Sequence, residues 1–127
     1  MRKLLCMMAL ALGLLSCQES LEKQAERQAR KFTMERCPMK LDYLILDSMT
    51  FDVSTRTLQR YYRLTGAADH DSLDFTLLRN ALIKELRNEP TYRVYREKEF
   101  NFYYEYRSDN CPDIVRFTAM LTKDDYR

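Results

Sequence analysis

Residues 49–66 read MTFDVSTRTLQRYYRLTG, from Met49 to Gly66. Before the break at Ser54-Thr55-Arg56, Met49, Phe51 and Val53 alternate with Ser48, Thr50 and Asp52. After it, Leu58, Tyr62 and Leu64 alternate with Gln59, Tyr61 and Arg63. Successive side chains of a strand point to opposite faces. A period of two on both sides of a short polar break therefore predicts a hairpin, Leu41 to Val53 followed by Thr57 to Thr65. The alternation falters near Asp47, where a bulge of one extra residue would restore it.

The same pattern recurs toward the C-terminus. Phe100, Phe102, Tyr104 and Tyr106 alternate with Asn101, Tyr103 and Glu105. A Ser108-Asp109-Asn110 turn leads to a last strand whose Val115, Phe117, Ala119 and Leu121 share one face. Two helices complete the set. Leu21, Ala25, Ala29 and Phe32 make one apolar stripe over Ser20 to Arg36, with Ser20 as cap, Glu22 in the first turn and Pro38 beyond the end. The second carries Leu73, Leu77, Leu78, Ala81, Leu82 and Leu86; Asp71 or Ser72 is its expected cap, Asp74 falls in its first turn, and Pro90 stops it. Residues 91–97 fit a short helical turn or an early strand. The order α-β-β-α-β-β predicts an α+β domain: two helices packed on one face of a four-stranded antiparallel sheet, with the other face left to water or a partner.

The N-terminus reads differently. Arg2 and Lys3 precede an uncharged apolar run from Leu4 to Leu15, which ends at Ser16-Cys17. A basic start, a short apolar core and small residues at its end are the layout of a secretory signal, and the run is too short for a stable membrane span. Leu14-Leu15-Ser16-Cys17 resembles the lipobox of bacterial lipoproteins. That resemblance implies a signal peptide over 1–16, removed before Cys17, and a diacylglyceryl group (with palmitate-like acyl chains) on the Cys17 thiol. Two or three acyl chains anchor a small domain stably where one does not. By the same resemblance, Gln18 after the cysteine implies the outer membrane. The mature chain, 17–127, is then one domain on a lipid anchor in the bacterial cell envelope.

Of 21 basic residues, Arg2 and Lys3 leave with the signal, and the remainder balance the 19 acidic ones. A neutral mature chain gives no electrostatic case for nucleic acid. Of four cysteines, Cys6 leaves with the signal and Cys17 carries lipid. Cys37 and Cys111 remain, each followed by proline, in a compartment that permits disulfides, and they are expected to pair.

The phrases CPMKLD, LDSMTFD and RYYRLTG resemble a domain common in small bacterial envelope proteins, in which a helix ends at Cys-Pro and a Leu-Asp-Ser strand leads into a tyrosine-rich one. The resemblance runs from about residue 20 to 122 and implies the fold; the family has no assigned activity.

Candidate chemistry is sparse. Asp69-His70-Asp71, with Asp74 nearby, suggests a metal site, but the spacing fails as a calcium loop and suits a polar loop before a helix. No nucleophile motif is present, and Gly66 is the one glycine of the mature chain, which leaves no phosphate-cradling loop. No enzyme, metal or cofactor is therefore expected. The uncovered sheet face is assigned Tyr61, Arg63, Tyr103 and Arg116, among neighbours that include Gln59, Glu105, Thr118 and Met120. Tyr and Arg are enriched in protein interfaces, although a solvated antiparallel face shows the same composition. The expectation is a non-catalytic, membrane-anchored module that binds an envelope protein partner, an inhibitor role included. The alternative is a small-ligand or glycan module on the same face.

Overall fold

A computed structural model describes residues 19–127. The signal peptide, the lipobox and Cys17 lie outside the described residues. In chain order the elements are α1 (Leu21–Arg36), β1 (Met39–Leu41), β2 (Leu44–Asp52), β3 (Thr57–Leu64), a 3₁₀ turn (Gly66–Ala68), α2 (Phe75–Asn88), a second 3₁₀ turn (Pro90–Tyr92), α3 (Arg93–Glu97), β4 (Asn101–Ser108), β5 (Val115–Leu121) and α4 (Lys123–Tyr126). The class is α+β, as expected, but three details differ. The sheet has five strands in the order β1-β2-β3-β4-β5. Its middle pair, β3 and β4, is parallel. Four helices are present among the described residues, not two.

The fifth strand arises because the expected first strand is split. Asp42 and Tyr43 turn the chain so that Leu41 pairs back on Leu44, and Tyr43 takes φ 58° to do so. The parallel pair arises from the connection. Two hairpins, β2-β3 and β4-β5, are joined by α2 and α3, which return the chain to the end where β3 began. Parallel neighbours need such a crossover. The bulge expected near Asp47 is present, as a register shift between Leu46 and Ser48.

Helix α1 starts as predicted, with the Ser20 hydroxyl accepting the Lys23 N–H. Ala25 and Ala29, both buried, let α1 approach the sheet closely. Strand β1 is too short to cover the edge of β2 beyond Leu46. There the Thr33 hydroxyl of α1 accepts from Met49 N–H at 2.8 Å and donates to Met49 C=O at 2.7 Å. One side chain thus satisfies both backbone groups of an otherwise unpaired edge residue. Helix α2 is capped by Asp74, whose carboxylate accepts from Leu77 N–H at 3.0 Å, rather than by Asp71 or Ser72.

The core lies between the helices and one sheet face. Phe51, Leu58, Tyr62, Phe100, Phe102, Tyr104, Phe117, Ala119 and Leu121 are buried there. Tyr126 of α4 closes it, edge-on to Phe102 at 5.7 Å between centroids, and its hydroxyl donates to Phe100 C=O at 2.8 Å. The alternation read from sequence assigns the core residues of β3, β4 and β5 to the correct face, except that Val115, expected beside Phe117, is 43% exposed because the register shift sets it opposite Arg107.

The expected Cys37–Cys111 disulfide is absent: both are free thiols. Cys37 precedes β1 and Cys111 lies in the β4–β5 turn, before β5. Those strands are the two opposite edges, four steps of about 4.8 Å or roughly 19 Å apart, whereas a disulfide needs Cα atoms within about 7 Å. Burial pushes the Cys37 thiol pKa up, and the nearby Asp47 charge adds to this.

Candidate functional site

The open sheet face gathers three of the four residues assigned to it. Tyr61 and Tyr103 meet edge to face, with centroids 6.2 Å apart. Arg63 stands beside Tyr61 on β3, but it is tied down. Its Nε donates to both Asp47 oxygens, at 2.9 and 2.8 Å, and its Nη1 donates to Asp109 Oδ1 at 2.6 Å. The Asp47 hydrogen bond is the first cause that raises the Arg63 pKa further. The Tyr103 hydroxyl donates to Glu105 Oε1 at 3.1 Å, and Arg107 Nε donates to Glu105 Oε2 at 2.9 Å. Partial burial raises the Tyr103 pKa, and its bond to Glu105 adds to this. The polar groups of this face are therefore largely spent on one another.

Arg116 does not join them. β5 carries a register shift opposite Tyr106 and Arg107, which pair with Phe117 and Val115 and leave Arg116 as the extra residue. Its Nε donates to Asp69 Oδ1 at 3.1 Å. The Asp69 side chain is 1% exposed, and its Oδ2 also accepts from the Ser108 hydroxyl at 2.7 Å and Asn110 N–H at 3.3 Å. The Ser108 bond first, then Asn110 and Arg116, hold the Asp69 carboxyl below the usual range. Asp69 thus ties the β3–α2 loop to the β4–β5 turn. His70 Nδ1 accepts from Ser72 N–H at 3.1 Å. Among the described residues, no three His, Cys, Asp or Glu side chains converge as a metal site.

The helix-covered face holds a concavity that the sequence reading did not name. Helix α1 packs on β2, while α2 packs against β5 and α4, so β3 is left under a groove between the helices. One part, of about 450 Å³, is walled by Phe32 of α1 and Tyr92 and Tyr95 of the α2–α3 region, over a floor of Leu46, Leu58 and Tyr62. A second part, of about 350 Å³, is lined by Tyr43, Leu44, Leu64, Leu78, Leu82 and Tyr106. Glu85 of α2 lines both. Leu41, at the rim of the first, is 48% exposed, and Tyr43, at the rim of the second, is 60% exposed.

Arg60 stands in the first part. Its guanidinium carbon lies 4.6 Å from the Tyr92 ring centroid and 6.0 Å from that of Tyr104, and the rings support the cation through their faces. Nη1 reaches only the Tyr62 hydroxyl, at 3.4 Å. Among the described residues, Arg60 Nε is the one buried side-chain donor without a partner. Burial pushes the Tyr104 phenol, beneath Arg60, up to about 12 and raises that of Tyr106 as well. The groove is thus a largely apolar trough in which, among the described residues, Arg60 makes no ion pair, although Glu85 lines the same part. Its sequence signal is parity: Arg60 occupies an inward position between Leu58 and Tyr62, and Glu85 stands beside Leu82 and Leu86 on the apolar side of α2.

The chain belongs to the family described as a domain of unknown function, DUF8479, whose model matches residues 20–115. No curated protein matches the sequence. Among solved structures, the fold is similar to the pilotin EpsS of the type 2 secretion system of Vibrio vulnificus (TM-score 0.67, 12% identity, 84% of this chain and 92% of that one). It is similar to a Pseudomonas aeruginosa protein described as secreted (0.66, 13%, 87% and 100%). It is also similar to AspS, a type II secretion system pilotin of Vibrio cholerae (0.61, 16%, 83% and 91%). At these identities the likeness is one of fold.

Proposed function

We propose that the protein is a non-catalytic lipoprotein of the bacterial envelope, anchored through Cys17, that docks a segment of another envelope protein in the groove between α1 and α2. The observation that carries this is Arg60: a guanidinium with an unpartnered buried Nε, in an apolar trough, with no salt-bridge partner. An occupant that sets apolar side chains on Leu46, Leu58 and Tyr62 and a carboxylate against Arg60 would complete its pairing, since an unmet buried donor carries a desolvation cost that a partner acceptor relieves. An amphipathic segment with anchors spaced by three or four residues has that form. Pilotins of type II secretion systems as structural neighbours support an envelope protein that works by contact with other proteins, and the lipobox supports an outer-membrane anchor.

The test is affinity capture of the full lipidated chain from detergent-solubilised envelopes. The expected partner is retained by the native protein and by the Tyr61→Ala/Arg63→Ala/Tyr103→Ala variant, and lost by Arg60→Glu. Loss with the triple variant alone would move the site to the open face. Loss of metabolic lipid labelling in Cys17→Ser tests the anchor separately.

The open face keeps one observation in favour of small-ligand or glycan binding: the half-exposed Tyr61–Tyr103 pair. A saturable change in tyrosine fluorescence with sugars, abolished by Tyr61→Ala, would favour it.

A further inference from the structure

Four segments converge at one end of the domain. Helix α1 begins there, capped by Ser20. Glu22 reaches Arg56 of the β2–β3 turn at 3.4 Å. Arg56 donates to the Lys98 carbonyl at the end of α3 at 2.6 Å, and Glu99 receives Lys123 at 3.2 Å and also Arg127, from α4. The charges at this end are sorted. Its acids are largely held inward: Glu22 by Arg56, Asp52 by Ser54 and Thr55, Glu99 by Lys123 and Arg127, and Asp125 by Thr122 and Arg79. Of its exposed acids, Glu19 is paired with Arg27 and Glu97 with Arg93, which leaves Asp124. Lys23, Arg56, Lys98, Lys123 and Arg127 are all exposed.

The anchor sets where this end must be. From Cys17 to Ser20 is three residues, which span at most about 10 Å. With its lipid in the bilayer, the start of α1 stays within about one Debye length of the headgroups. We infer that this end of the domain rests on the phospholipid surface, with Lys23 of the α1 start and Lys98 of the α3 end, exposed and without ion pairs among the described residues, facing lipid phosphate. The inference rests on the anchor proposed at Cys17. Its consequence is orientation. The opposite end, with Tyr43 and Cys111, is held off the membrane by the length of α1, about 24 Å for a helix of its size.

The test uses the full lipidated chain in phosphatidylcholine–phosphatidylglycerol vesicles that carry a headgroup-bound quencher. One fluorophore is placed at Ser54→Cys in a Cys37→Ser/Cys111→Ser background. The other is placed on native Cys111 in a Cys37→Ser background. Strong quenching at position 54 and little at 111 is expected. Each cation near an anionic surface strengthens the contact about fivefold, so Lys23→Glu/Lys98→Glu should lower the docked-to-free ratio at least roughly 25-fold. Neither of these side chains makes a bond among the described residues, and high salt should act in the same direction without any mutation. Equal quenching of the two probes, or quenching at 54 that ignores both salt and charge reversal, overturns the inference while leaving the anchor intact. A folded native chain that fails to float with the vesicles, as Cys17→Ser should, overturns the anchor and the inference with it.

Discussion

The two faces of the sheet handle arginine in opposite ways. On the open face, Arg63 is held by Asp47 and Asp109 in a fully met fork. Three residues earlier on the same strand, on the helix-covered face, Arg60 is stacked on Tyr92 with its Nε unmet. A charged group whose donors are all satisfied within the chain contributes to the fold. One that is partly buried and left without an ion pair contributes little to the fold, and an acceptor supplied from outside, as proposed above, would complete it. The contrast moves the functional expectation from the face that looks rich in interface residues to the face that looks like core.

The largest effect separates neighbours on β4. Phe102→Ala removes a ring that is 1% exposed under the groove floor and should cost about 4 kcal/mol in chemical denaturation. Tyr103→Ala, one residue on and on the open face, should cost no more than about 1 kcal/mol. Equal costs would erase the distinction between the faces. Next, Thr33→Val strips Met49 N–H and C=O of their shared partner and should cost about 2 kcal/mol. A neutral outcome would mean that water replaces the hydroxyl and that α1 is not pinned at that edge. Arg63→Ala should cost about 1 kcal/mol, and less at high salt, because its ion pairs are about one-third exposed. Arg60→Met should have the smallest effect: unchanged stability, or a gain of up to about 1 kcal/mol, because a partly buried unpaired cation gives way to an apolar chain of similar length. A loss of more than about 1 kcal/mol there would make Arg60 a structural residue.

The elements were legible where one period dominated. The alternations through Thr57–Leu64, Asn101–Ser108 and Phe117–Leu121, and the Leu21-Ala25-Ala29-Phe32 stripe, gave strands, helix and inward faces correctly, whereas Val115, expected on the inward face, is exposed opposite Arg107. The Asp47 bulge showed itself as a break in that alternation. The Asp42-Tyr43 turn did not, because it lacks the Asn-Gly or Asp-Gly pair that announces a tight hairpin. The parallel β3–β4 pair was hidden because periodicity fixes a strand's faces and says nothing of its neighbour. Nothing local marks α4 before the strand it follows, although its Thr122/Asp125 capping box is present in the sequence. The disulfide was inferred from compartment and phrase, and strand order overruled it. The site was half legible. Tyr61, Arg63 and Tyr103 do share a face, whereas Arg116 was diverted by a bulge that its own residues do not signal. Arg60 is legible as a charge at an inward parity position between Leu58 and Tyr62, but parity alone does not show that it lacks an ion pair.

The central claim is that the groove, not the open face, receives the partner. Its most direct test places a photo-cross-linking residue at Gln28 on the groove rim, or at Thr118 on the other face, in the lipidated protein in intact cells. The account predicts a discrete adduct with one envelope protein from position 28, lost on adding Arg60→Glu, and none from position 118. An adduct that forms from position 118 and ignores Arg60 would contradict it.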